Sequence, residues 1–158
     1  MKNLITTFYE AFNNLDAETM CSCYHEDIVL EDPAFGVLKG DKAKLMWQML
    51  CDSQKGKNFK VVASNIKADS HKGSAHWEAF YNFSRTGRKV HNKIDAQFEF
   101  KDGLIISHKD RFNLHRWARQ ALGFKGLLFG GMGFFKSKLN RQTNHVLEKY
   151  IKEKKLSH

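Results

Sequence analysis

A chain of 158 residues, 42% hydrophobic and 27% charged, has the composition of one ordinary globular domain and not of a disordered segment. It holds no apolar run of transmembrane length, and its start, MKNLITTFYEAF, has helical rather than signal-peptide form, so a soluble cytoplasmic protein is expected. The net charge of +9 is uneven: residues 136–158 carry seven Lys or Arg against Glu148 and Glu153, which predicts a solvated basic last helix and no nucleic-acid partner.

The first helix places Leu4, Ile5, Phe8, Tyr9 and Phe12 on one face, and Asn14 ends it. Asp16 is placed to cap a short second helix leading to His25. In DIVLEDPAFG the inward row of a strand runs Ile28, Leu30, Asp32, and Pro33 stops the ladder at once. Leu38 to Gly40 turns the chain, and Asp41 is expected to cap a third helix with Ala43, Met46, Trp47 and Leu50 on one side.

Three long strands follow the polar loop at 52–58. The first, 59–68, alternates only loosely. The second faces Ala75, Trp77, Ala79, Tyr81 and Phe83 one way and His76, Glu78 and Phe80 the other. The third groups Val90, Asn92, Ile94, Ala96, Phe98 and Phe100. Asp102-Gly103 is a hairpin signal, and it feeds GLIISHKDRF, where Leu104, Ile106, His108, Asp110 and Phe112 share a face. Two titratable groups on an apolar face must be paired, wetted or used. Helices followed by a meander predict an α+β fold with helices packed on a curved antiparallel sheet.

The last third reads as a short helix closing at Gly123, a glycine-rich apolar stretch to Phe135, and a final amphipathic helix. That stretch is too rich in glycine for a stable helix; it reads as a lid, an oligomer contact or a packed loop. Cys21, Cys23 and Cys51 are an odd number with no metal-ligand spacing, so they are read as reduced thiols, with neither a disulfide scaffold nor a metal site.

This order of elements resembles the nuclear transport factor 2-like superfamily, and within it the SnoaL-like branch. The residues carrying the resemblance are D-I-V-L-E-D-P at 27–33, G-D-K-A at 40–43, F-E-F-K-D-G-L-I at 98–105 and H-K-D-R-F at 108–112. It covers residues 1–113 and leaves 114–158 as a C-terminal helical extension packed on the same domain. The resemblance implies a cone-shaped α+β fold around an apolar pocket, and a homo-oligomer, commonly a dimer through the open sheet. Its members include isomerases, polyketide cyclases, dehydratases, epoxide hydrolases and proteins without catalysis. Asp32 matches the acid that isomerase and cyclase members place at the pocket end of the first strand. The sequence departs from the isomerases in lacking a clear tyrosine–aspartate oxyanion pair, and from the epoxide hydrolases in lacking an Asp-Arg-Asp triad.

The residues and the resemblance together define a candidate site. Asp32 is the candidate base, and His108 with Asp110 the acid or orienting pair. Asn92, Trp47, Trp77, Tyr81 and Phe112 are candidate ligand-binding walls. The expected partner is a small hydrophobic oxygenated molecule, handled by acid–base chemistry without a cofactor. The alternative is a non-catalytic ligand-binding or interaction protein of the same shape. His76 and His91 fall on the opposite parity and are expected at the surface, and Arg119 in a structural ion pair.

Overall fold

A computed structural model describes residues 1–156. Its elements are α1 (Lys2–Asn13), α2 (Ala17–Ser22), β1 (Tyr24–Asp32), β2 (Gly36–Lys39), α3 (Asp41–Gln54), β3 (Lys60–Ala68), β4 (Lys72–Asn82), β5 (Lys89–Lys101), β6 (Leu104–Arg111), α4 (Leu114–Leu122), α5 (Phe124–Phe129) and α6 (Gly133–Leu156). The six strands form one unclosed sheet in the order β2-β1-β6-β5-β4-β3. The fold is α+β, a curved sheet wrapped about helices at both chain ends.

Local chemistry explains most boundaries. Ile5, Phe8, Tyr9 and Phe12 of α1 are buried at helical spacing, and Asn14 follows as the cap. Asp16 accepts the Thr19 N–H and caps α2 as expected. Asp41 does not cap α3: Gly40 holds that position and Asp41 lies in the first turn, where its charge faces the positive helix end. Asp102 and Gly103 both have positive φ, which is the backbone of a two-residue hairpin turn between β5 and β6.

Two features of the sheet differ from the expected meander. Leu38 and Lys39, read as part of a turn from Leu38 to Gly40, belong to strand β2, which pairs antiparallel with β1. The sheet is also not wholly antiparallel, because β1 pairs parallel with β6, bringing Leu30 opposite His108 and Glu31 opposite Lys109. Nothing local to either strand encodes that direction; α3 and four strands, β2 to β5, intervene between them. The loose alternation of β3 has a local cause, a register shift between Ser64 and Lys67 where Asn65 takes positive φ.

The core has two parts. The larger lies between the sheet and α1–α3, from Ile5 and Phe8 across Trp47 and Trp77 to Phe98 and Ile105. The smaller joins Val90 of β5 to Trp117, Ala118 and Ala121 of α4 and Leu139 of α6. The glycine-rich stretch is therefore not a loop throughout, since a six-residue helix, α5, crosses it. Gly126 makes this possible, because a Cβ there would stand 1.9 Å from the Ala118 carbonyl oxygen. Gly126→Ala is expected to push α5 off α4 and to destabilise the fold by about 1–3 kcal/mol, read as a fall in thermal midpoint; an unchanged midpoint would contradict this packing.

Candidate functional site

The site is a cavity of about 290 Å³ between the sheet, α3 and the C-terminal helices. Asp32, Trp47, Trp77, Tyr81, Asn92 and Phe112 all line it, joined by Phe12, Trp117 and Leu139, among others. The inward–outward alternation of β4 and β5 is kept throughout their pairing, which runs without a bulge from Lys72↔Glu99 to Asn82↔Lys89. Asn92 is thus the one polar side chain that β5 contributes to the lining.

Asp32 ends β1 and opens the turn into β2. Its Oδ1 accepts the backbone N–H of Ala34 at 2.7 Å and of Phe35 at 3.0 Å, so one oxygen serves the turn. Its Oδ2 has no protein hydrogen-bond partner among the described residues, and the side chain borders the cavity. The apolar surroundings push its pKa up to about 7, the Asp110 charge adds to the rise, and the two N–H groups and His108 oppose it.

That shift has a stability consequence. An acid whose folded pKa lies above its unfolded value near 3.9 binds more protons folded than unfolded in that window. Its penalty on stability is absent below about pH 4, grows as pH rises towards 7 and is complete above it. Asp32→Asn keeps an acceptor for the turn and removes the charge. It is expected to stabilise the protein at pH 8 by roughly 2–4 kcal/mol, with the gain vanishing towards pH 4 in denaturant titrations.

His108 and Asp110 do not line the cavity. The expected acid or orienting pair is buried behind its wall. His108 stacks on Trp47 at 6.0 Å between ring centroids and meets Phe8 edge-on, so helices α1 and α3 cover it. Trp47 Nε1 donates to the Tyr24 hydroxyl (2.9 Å), and that hydroxyl lies 2.6 Å from His108 Nδ1. His108 Nε2 lies 3.1 Å from Asp110 Oδ1, which also accepts Trp77 Nε1–H at 3.1 Å. An indole N–H can only donate, so the Tyr24 oxygen accepts from Trp47 and the phenol proton is directed at His108. In the Nε2–H tautomer, Tyr24 O–H donates to Nδ1 and Nε2–H donates to Asp110. Burial and the Asp110 charge raise the pKa values of Tyr24 and Tyr9, keeping both phenols protonated. The Tyr9 hydroxyl and Asp110 Oδ2 are buried without a protein partner.

The network reaches the cavity at three points. Trp47 and Trp77 belong to both. The third is Asp32: one step beyond Glu31↔Lys109, the parallel register sets Asp32 and Asp110 on neighbouring strands, about 5 Å apart along the hydrogen-bonding direction.

Sequence reasoning missed two sets of residues. Tyr24 was hidden because β1 begins three residues earlier than the apolar row suggested, though it shares the even parity of Ile28, Leu30 and Asp32. The other set lies on α6 and holds the Asp32 turn: Asn140 Nδ2 donates to the Pro33 and Ala34 carbonyls, Thr143 Oγ1 to Ala34, and Asn144 Nδ2 to Phe35. Three polar residues within one helical turn and a half were the available signal.

Elsewhere, His76 and His91 stay on the outer sheet face, both paired with Glu78, while Asp95 accepts from His76. Arg119 is exposed on α4 and takes no part in the cavity. The three cysteines are unpaired, and burial pushes the thiols of Cys23 and Cys51 up to about 11 and 12. Among the described residues, His25, Glu26 and Asp27 form the one cluster with metal-ligand spacing. There His25 Nδ1 already accepts the Asp27 N–H and two of the three side chains are exposed. Among the described residues no helix is long and apolar enough to cross a membrane.

The model of the SnoaL-like domain matches residues 5–108, so the chain belongs to the SnoaL-like family. No curated protein matches it. Solved structures share the fold at low identity. A Xanthomonas campestris pv. campestris protein assigned provisionally as a polyketide cyclase has a TM-score of 0.60 at 19% identity, covering 75% of this chain and 93% of its own. A Mycobacterium tuberculosis protein described as an LEH-like epoxide hydrolase has a TM-score of 0.58 at 24% identity, covering 81% and 89%. Bal32a, from a soil-derived mobile gene cassette, has a TM-score of 0.60 at 23% identity, covering 70% and 86%. These likenesses carry the fold; the chemistry rests on the residues of this chain.

Proposed function

We propose that the protein is a cofactor-independent acid–base enzyme of the isomerase, cyclase, dehydratase or hydrolase type, acting on a small hydrophobic oxygenated molecule bound in the cavity. The observation that carries this reading is Asp32, a carboxylate facing an apolar cavity with its pKa raised to about 7. Near neutrality such a group is half ionised and a much stronger base than a solvated aspartate, while its Ala34 and Phe35 N–H bonds hold it in place. Asn92 and the Tyr81 hydroxyl, which accepts Trp117 Nε1–H, are among the polar groups of the lining that can orient a carbonyl or hydroxyl. His108 and Asp110 act as positioning residues, fixing Trp47 and Trp77 and raising the basicity of Asp32 through the Asp110 charge. Assembly as a homodimer through the open sheet face is part of the same proposal.

The test needs no named substrate. A panel of enolisable apolar ketones in deuterated buffer is followed by NMR for exchange of the protons beside the carbonyl. Exchange with the wild type that is lost with Asp32→Asn supports the reading. Ligands that bind in the cavity with no exchange or turnover place the protein among ligand carriers.

A further inference from the structure

We propose that the segment from Phe124 to Phe134, with the basic residues around it, docks on an anionic lipid bilayer. The usual amphipathic arrangement is inverted here. On α5 and at its C-cap the side pressed against α4 is glycine: Gly126 and Gly130 are buried, and a Cβ on either would collide with α4 or its neighbours. The large apolar side chains point outward instead. Phe124 is 72% exposed and Phe134 60%, with Leu127, Leu128, Phe129 and Met132 close to half exposed between them. His115 Nε2–H donates to the Leu127 carbonyl and further ties α5 to α4, so the apolar face is held outward.

Charge selects the occupant. From residue 111 to 147 the chain has seven Lys or Arg and no Asp or Glu, and all seven are exposed. Lys125, Lys136 and Lys138 lie within or beside the apolar run. A second copy of the same face would bring like charges together, whereas a surface of apolar chains beneath anionic headgroups satisfies both features. The location also fits the cavity: α4 and α6, which flank the patch, supply Trp117, Leu139, Thr143 and Val146 to the lining. If the cavity takes a hydrophobic substrate, as proposed above, the bilayer is where such a molecule partitions.

Flotation with vesicles tests the docking without any turnover. The protein is expected to bind vesicles of three parts phosphatidylcholine to one part phosphatidylglycerol, to bind pure phosphatidylcholine at least about tenfold more weakly, and to dissociate in high salt. Phe124→Asp with Phe134→Asp should abolish binding, and Lys125→Glu with Lys136→Glu and Lys138→Glu should weaken it by about tenfold or more. All five positions are exposed, and an unchanged circular dichroism spectrum and thermal midpoint will show that the variants fold. Wild-type protein that stays with the unbound fraction overturns the proposal, as does binding that survives the double Phe substitution. Self-association that needs Phe124 and Phe134, without vesicle binding, overturns it in favour of a second copy.

Discussion

Asp32→Asn is expected to lower turnover by about 10²–10⁴-fold on any substrate the wild type converts, while leaving ligand binding in the cavity largely intact. The asparagine retains the acceptor that Ala34 and Phe35 need, so the turn between β1 and β2 should keep its shape. What it lacks is a group that can take a proton. In the wild type the rate should rise with pH through about 7 and level off above it, because only the ionised carboxylate acts as base. The pH–rate profile separates this from a structural role. A residue that only caps the turn would give a variant with an unshifted profile and a modest loss.

His108→Ala has the largest expected effect on stability, a loss of about 3–5 kcal/mol. Three costs act together. The imidazole is fully buried among Phe8, Trp47 and Phe98, so its removal leaves a cavity in the core. The Tyr24 hydroxyl loses the acceptor at 2.6 Å, and Asp110 loses one of its two donors. Asp110 already has one oxygen without a protein partner, so little remains to solvate its charge. A domain of this size should lose roughly 10 °C or more from its thermal midpoint. A loss no greater than that of an exposed substitution would mean that the Tyr24–His108–Asp110 chain is not formed.

Much of the fold was legible because its signals are local. The alternation in β4, β5 and β6, the Asp102-Gly103 turn and the heptad-like spacing in α1 each depend on neighbours along the chain. Asp32 was legible for the same reason, since it continues the row of Ile28 and Leu30. The true place of His108 and Asp110 was not. Their parity showed that they face inward, but whether inward means cavity or core depends on what covers them. Phe8, Tyr24 and Trp47 do so, from α1, β1 and α3. The parallel pairing of β1 with β6 and the grip of Asn140, Thr143 and Asn144 on the Asp32 turn join residues about 75–110 positions apart, and no local pattern records such contacts. In the glycine-rich stretch composition misled, because Gly126 and Gly130 are interface residues between helices and not helix breakers.

Asp32, the proposed base, is raised into the neutral range by an apolar cavity and by the Asp110 charge. The most direct measurement is the carboxyl ¹³C titration of Asp32 in the wild type and in Asp110→Asn. A midpoint near 7 is expected in the wild type and a lower one in the variant, where the neighbouring negative charge is gone. A wild-type midpoint near the solution value of about 3.9 would contradict it.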